Sequence, residues 1–584
     1  MSLKEKESES KGNNVPPSAP LDGAKIKETK GMPTDIVYPS GLKLALIMAS
    51  IFVGMFLVSL DRLIISTAIP QITNEFNSAG DIGWYGTAYL LTSCAFQLVF
   101  GKLYKVFDIK ATFLASIVVF EVGSALCGAA PNSIAFILGR AIAGLGSGGV
   151  LSGVMVIIVY AVPLHKRPKY QGFFGAVFGI SSVAGPLIGG AFTTDVTWRW
   201  CFYLNLPLGG AVMILVFFLL HIPSRPTTNI PLKDKLHQLN ALGLLALLPG
   251  VICLCLALQW GGTTHPWNSS RIIALLILAS LLLLAFAFIQ AWQPTQAILP
   301  PRIFLQRSIL AGFWLSSCLG AHQMLFIYYL PLYFQATLSL SAAASGIHLL
   351  PLLLPVVLAS LLTGFLVSRL GYYTPFALLG VCLTAVGAGL LTTLEPRSST
   401  GAWVGYQFLY GLGFGFAGQA PNMAAQTVLA REEVAMGAGV MFFGQQLAGA
   451  VFLSVGGNVL GRELVERLAG VPGVDFSAAL VRDTGATELL KLVPAEYREM
   501  ALGAYNDSLR VVFRVGLVMA CLAVIGAAGL EWRSVRRDVK GKKAEGGKVA
   551  DEGEGGLGGK EEKSCRAETE EAEAETGRGK KIAG

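Results

Sequence analysis

Between residues 42 and 530 the chain is organised as long apolar runs separated by short polar breaks, and fourteen of the runs reach membrane-spanning length. A hydrocarbon core about 30 Å thick is crossed by roughly 20 apolar residues in a helix. The runs lie near 42–68, 83–102, 111–130, 133–160, 171–192, 201–221 and 239–259, then near 272–291, 309–333, 344–369, 375–395, 402–427, 434–460 and 510–530. Only helices satisfy the backbone of segments this long in lipid, so the pattern predicts an all-α polytopic membrane protein. Residues 1–41 break the pattern: they are polar, alternate Lys with Glu and contain NNVPPSAP, so they read as a disordered arm and not as a cleavable signal.

Composition changes the picture only by excluding alternatives. With 53% hydrophobic and 14% charged residues in 584, a soluble fold has too little polar surface to cover its apolar mass. Eight of the nine Cys fall within or beside the apolar runs and the ninth, Cys565, sits in a charged tail, which suggests neither a disulfide framework nor a metal site. No GxxxxGK[ST] loop is present, so ATP is disfavoured as an energy source and no cofactor is expected.

Charge orients the chain. With a cytoplasmic N-terminus, the inside loops are 102–110, 165–169, 224–237, 300–307 and 367–373, all basic, while the outside loops hold at most Arg199, Arg271 and Arg397. The tail 531–584 then returns to the cytoplasm, where the basic cluster within 533–543 suits either a solvated tail or an anionic-lipid contact. The segment GKLYKVFDIK (101–110) after the second run and GFLVSRLGYY (364–373) after the tenth share Gly-x-Leu at the membrane exit. That internal similarity predicts two six-helix halves, 42–221 and 308–530, the second with an outer loop near 461–509, and a linker 222–307 holding two extra spans. The sequons at Asn268 and Asn506 fall on the outer side as possible glycosylation sites.

Charges at bilayer depth are costly and usually face a bundle interior or an aqueous path. At 1.5 Å per residue, Asp61, Glu121 and Arg140 all lie about 10–14 Å below the outer surface, with Arg62 beside the first. An acid near an Arg stays ionised when paired and takes a proton when separated, which is the property of a proton-coupled exchanger; a static structural pair fits the same residues. His322, Gln323, Gln419, Asn422, Gln445 and Gln446, with Gln407, either bond neighbouring helices or line a polar cavity. The aromatics of FIYYLPLYF (326–334) read better as an interfacial belt than as a substrate wall. Gly172, Gly185, Gly189 and Gly190 with Pro186 leave the fifth run poor in side chains, open to close helix approach and to a kink.

The ordered segments LDRLIISTAIP (60–70), GKLYKVFDIK, GRAIAGLGSGG (139–149), GISSVAGPLIGG (179–190) and WRWCFYLNLPLG (198–209) resemble the major facilitator superfamily, specifically its fourteen-span drug:proton antiporters. SGIHLLPLLL (345–354), GYYTPF (371–376) and GQAPNMAAQTVL (418–429) are similar to fungal members. The resemblance implies proton-coupled export of a small lipophilic toxin, drug or metabolite from a multi-pass protein of the plasma membrane, or of a vacuolar or vesicle membrane. It makes Asp61 the acid of the first-span motif, Arg140 the embedded Arg of the fourth, and the GPLIGG segment a motif associated with export, with Ser181 in place of one Gly. The loop motif around Gly101 departs from the pattern: Lys105 replaces an Asp and Asp108 a Gly, so that Asp108 substitutes with altered geometry or Lys105 and Lys110 only set topology. Import of a nutrient or iron chelate on the same fold is the alternative reading, and a receptor or membrane enzyme the alternative of another class. The expected partners are the small molecule, protons and the bilayer, with no nucleic acid.

Overall fold

The computed structural model describes residues 38–78, 81–222, 231–262, 265–294, 296–469 and 493–536. The arm as far as residue 37, part of the 224–237 loop, the middle of the 461–509 loop and the tail beyond 536 lie outside the described residues.

Every apolar run forms a helix. In chain order these are α1 (Gly41–Phe76), α2 (Ile82–Val106), α3 (Ile109–Gly128), α4 (Ser133–Ala161), α5 (Arg167–Ala191), α6 (Asn205–Leu219), α7 (Ala241–Trp260) and α8 (Ser270–Trp292). Then follow α9 (Arg307–Thr337), α10 (Leu350–Leu370), α11 (Thr374–Leu391), α12 (Thr400–Ala417), the short α13 (Ala420–Val428), α14 (Val434–Leu468) and α15 (Arg498–Gly529). Side-chain caps start several of them: Asp108 accepts from the Ala111 N–H at 2.8 Å and Asn132 from that of Ala135 at 2.9 Å. Gly371, at φ +91°, ends α10 in the left-handed conformation that a Cβ disfavours.

Among the described residues, twelve helices are long and apolar enough to cross a membrane. The two expected spans that fall short on hydropathy are α2 and α12, and both pack inside the bundle. Their polar residues explain the difference: Thr92 of α2 donates to the Ala141 carbonyl at 2.7 Å and Gln97 to Ser152 Oγ at 2.7 Å, while Gln407 of α12 is fully buried.

The helices pack both within and across the expected halves, α5 also lying on α10 and α2 on α14. In the first half α3 and α2 pack on α4, and α1 on α5 and α6; in the second α9 packs on α14 and α15, and α11 on α12 and α15. The added pair, α7 and α8, pack on each other and α7 leans on α2. Helix α8 turns Ile273, Ile277, Leu281, Leu284 and Phe288 outward, an apolar face suited to lipid.

Small residues set the spacing. An added Cβ on Gly146 of α4 would fall 2.4 Å from the Phe120 backbone nitrogen of α3, and one on Gly387 of α11 would fall 2.5 Å from that of Tyr410 on α12. In α5 the glycines divide by depth. Gly172 would meet the Ser360 carbonyl of α10 at 2.7 Å, whereas Gly185 and Gly189 would meet Leu63 and Thr67 of α1 at 3.0 and 2.2 Å. Gly190, expected to share this packing, faces open space, and Pro186 sits inside an unbroken helix.

The halves meet at the face bearing the basic loops. There Gly101 of α2 would bring a Cβ 3.0 Å from the Ala435 carbonyl at the start of α14, and Gly364 of α10 would bring one 2.4 Å from the Pro168 carbonyl at the start of α5. These are the two glycines of the repeated Gly-x-Leu, so each half supplies one notch for the other. A strap after α15 covers the same face: the Val535 N–H donates to the Gly371 carbonyl at 2.9 Å, Tyr373 Oη donates to that of Glu531 at 3.1 Å, and Arg536 Nε donates to that of Ser368 at 3.2 Å.

The contrast between glycines gives a stability test. Gly146→Ala should lower thermal stability in detergent, by roughly 1–3 kcal/mol if the helices cannot separate, whereas Gly190→Ala should leave it unchanged. Equal melting temperatures for the two variants would contradict the close-packing account.

Candidate functional site: a central cavity and a buried ion pair

A cavity of about 370 Å³ lies between the halves, walled by α1, α2, α4, α5, α7, α9, α10, α12, α13 and α14. Its lining reaches Gln259, Tyr328 and Gly457, toward the face opposite the basic loops. Phe174, Phe178, Tyr89, Phe414 and Phe442 supply aromatic wall, and Gln323, Gln419, Asn422, Gln445 and Gln446 supply amides. Gln419 sits in the break between α12 and α13, and Asn422 follows in the first turn of α13. Gln419 Oε1 and Asn422 Oδ1 are buried with no hydrogen-bond partner among the described residues.

His322, grouped with these amides in the sequence reading, stands outside the wall. It is fully buried, with Nδ1 2.7 Å from Tyr410 Oη and its ring packed edge-on to Tyr410 and Phe414. The aromatic run of α9 is likewise not an interfacial belt. Tyr328 and Tyr329 line the cavity, Phe326 packs on Tyr410 and Phe513, and Tyr333 Oη donates to the Glu395 carbonyl at 2.7 Å.

Behind the Tyr89 wall lies the ion pair. Arg140 Nη1 is 2.6 Å from Asp61 Oδ2, with the two side chains 1% and 0% exposed. Arg140 Nε donates to the Tyr85 carbonyl at 2.9 Å, and the guanidinium stacks 4.5 Å from the Tyr89 ring centroid. Asn205 Nδ2 donates to Asp61 Oδ1 at 3.2 Å and to Ser124 Oγ at 3.0 Å. Charged groups this deep are tolerated because each meets a partner. Tyr89 links pair and cavity: its hydroxyl donates to the Val58 carbonyl, and Val58 is itself cavity wall.

The charge group expected from shared depth therefore divides. Asp61 and Arg140 pair. Glu121 forms no ion pair among the described residues, and neither of its oxygens has a hydrogen-bond partner there; it lies a turn from Ser124, with Oε1 pressed against Gly209. Arg62 turns away from Asp61 into the cavity, where Nη2 lies 3.9 Å from Met324 Sδ.

The altered loop motif has its own geometry. Lys105, standing where the family pattern has an acid, pairs across the halves with Glu433 at 3.6 Å, and Arg302 bonds the same carboxylate. Asp108 caps α3 and makes no such contact, and Lys110 bonds the Phe217 carbonyl and lies over its ring. Two residues that motif reading passed over are thus structural keys: Glu433, and the Asn205 of WRWCFYLNLPLG. The same segment clamps the far face, where Trp198 Nε1 and Arg199 Nη2 donate to Glu75 at 2.6 and 2.8 Å. The indole N–H, ahead of Arg199, holds the Glu75 carboxyl below its usual range. Asn506 is a correction: it is 2% exposed within α15 and donates to the Leu394 carbonyl, so the folded chain offers no glycan acceptor there, whereas Asn268 is exposed.

A helical bundle of two six-helix halves around a central cavity is the architecture of membrane transporters. Residues 51–453 match the Major Facilitator Superfamily, and the chain belongs to that superfamily, whose members are transporters and not enzymes. It is 50% identical over 497 residues to an MFS-type transporter of Claviceps purpurea, covering 85% of this chain and 86% of the relative. It is 46% identical over 508 residues to the MFS-type efflux pump MFS1 of Trichophyton rubrum (87% and 94%) and 46% over 500 to the rubrofusarin-specific efflux pump aurT of Gibberella zeae (85% and 91%). In fold it resembles the human organic anion transporter MFSD10, with TM-score 0.53, 13% identity, and 82% and 100% coverage. The proton:xylose symporter XylE gives TM-score 0.53, 14% identity, and 85% and 98% coverage.

The Glu433 bridge yields a test on the basic face. Glu433→Gln removes two half-exposed ion pairs, which should cost about 1 kcal/mol or less in stability yet raise deuterium uptake across residues 431–440. Unchanged uptake there would show that the bridge does not hold the halves together.

Proposed function

We propose that this transporter is a proton-coupled efflux pump that exports a small, lipophilic toxin, drug or secondary metabolite across the plasma membrane. In this reading the basic face is cytoplasmic, α2 and the α12–α13 pair cross the membrane with the other twelve helices, and the chain belongs with the fourteen-span drug:proton antiporters. Exposed Asn268 then faces outward as a glycan acceptor, and the basic residues of 533–543 not held by the strap meet anionic lipid.

The observation that carries the reading is the buried Asp61–Arg140 pair set directly behind the wall of an aromatic cavity. A proton on Asp61 removes the charge that Arg140 balances. The freed guanidinium keeps the Tyr85 carbonyl and the Tyr89 face, so the change is transmitted to Tyr89, which the cavity contents also touch. Proton and substrate then compete through one side chain, as exchange requires. With the basic face inside, the cavity lining reaches toward the outer side. The efflux pumps among the relatives support export.

Asp61→Asn mimics the protonated acid and keeps an oxygen for Arg140. It should reduce pH-driven efflux from proteoliposomes to background while preserving yield and melting temperature. Asp61→Ala should also lose about 3–5 kcal/mol of stability, since it leaves the buried Arg unpaired. Normal efflux by Asp61→Asn along an imposed pH gradient would remove Asp61 as the proton carrier and leave Glu121 as the next acid to replace.

A further inference from the structure

Among the described residues Arg62 is the only charged side chain lining the central cavity. Among the described residues no acid pairs with it, and the hydrogen bond its side chain makes there runs to the Met324 thioether, a weak acceptor, at 3.9 Å. A guanidinium carries five N–H donors in a planar fork matched to an oxyanion. Water can solvate it while the cavity is open. Once the halves close around a substrate that water is displaced, and a lone cation at this depth is costly without a counter-charge.

The surroundings define what that counter-charge would be attached to. Arg62 shares the cavity with Phe174, Phe178 and Phe442, which suit a flat apolar body, and with the amide side chains of Gln419, Asn422, Gln445 and Gln446, a residue type that bonds hydroxyl or N–H groups. We infer that Arg62 is an anion-recognition site, and that the preferred substrates are aromatic molecules bearing a weakly acidic group, a carboxylate or an acidic phenol, with additional hydroxyl donors. The inference rests on the export reading for the cavity and narrows its substrate class. Asp61 does not compete for Arg62, because both of its oxygens are engaged by Arg140 and Asn205 on the other side of α1.

The test uses the full-length protein in nanodiscs, titrated at neutral pH with two fluorescent probes of one skeleton, 3-hydroxy-2-naphthoate and its neutral methyl ester. The wild type should bind both and favour the carboxylate. Arg62→Gln should lower that preference about tenfold or more, the scale of one charge-assisted hydrogen bond, with ester affinity little changed, and Arg62→Lys should restore most of it. Met324→Glu serves as an independent variant, because it sets a fixed carboxylate beside Arg62 and should abolish the preference even if Arg62→Gln fails to fold. An unchanged ratio in Arg62→Gln, or in Met324→Glu, overturns the anion site while leaving the export reading intact. So does an equal loss of both probes in a folded Arg62→Gln. A wild type that binds neither probe overturns the substrate class, and the export reading falls with it only if proteoliposomes also move no lipophilic compound under a pH gradient.

Discussion

A charge in the hydrocarbon must find its partner inside the protein, and the Asp61–Arg140 contact is where this chain meets that requirement most fully. Four segments are committed by it. Asp61 comes from α1, Arg140 from α4, the Tyr85 carbonyl from α2 and Asn205 from the start of α6, which in turn holds Ser124 of α3. A shift in any one helix leaves a buried polar atom without its mate, so the pair gives the first half a single arrangement that apolar packing alone would not specify. Leucine and valine contacts are as good against lipid as against protein, whereas this contact has no equivalent outside the bundle.

Around that fixed point the two halves meet along a seam. The seam between halves combines backbone and small-residue contacts, Gly101 against Ala435 and Gly364 against Pro168, with side-chain contacts such as the Phe174–Phe442 stack and Arg431 over the Tyr160 ring. Polar ties cross it as well, Lys105 to Glu433 and Arg431 to the Tyr160 carbonyl. Within each half the packing follows the same rule. There, close glycine contacts are backed by large buried rings, with Phe120 under Gly146 and Tyr410 under Gly387.

Apolar run length made the helices legible, because it follows from bilayer thickness. The repeated Gly-x-Leu made the two halves legible, because the same notch is needed twice. Partnership was harder to read. Depth arithmetic placed Asp61, Glu121, Arg140 and Arg62 on one level, but depth says nothing of azimuth: adjacent residues on a helix point about 100° apart, so Asp61 and Arg62 face different compartments. The same ambiguity let His322 be read with Gln323, and gave the aromatics of α9 to the interface when several face inward. Glu433 was invisible because its partner, Lys105, comes from the opposite half and bears the charge reversed from the family pattern. Asn506 looked accessible because a sequon reports three residues and not the turn of α15 that buries the first of them.

The strap after α15 has a consequence for how the chain is handled as a material object. Residues 531–536 hydrogen-bond the α10–α11 turn, and Val535 is buried beside Leu164 and Pro168 of the first half as well as Met423 of the second. The last described residues thus touch both halves of the bundle. A fluorophore, affinity tag or fused protein attached immediately after Arg536 would not be a passive appendage: it would pull on a segment packed against both, and its own signal would report whether that contact holds.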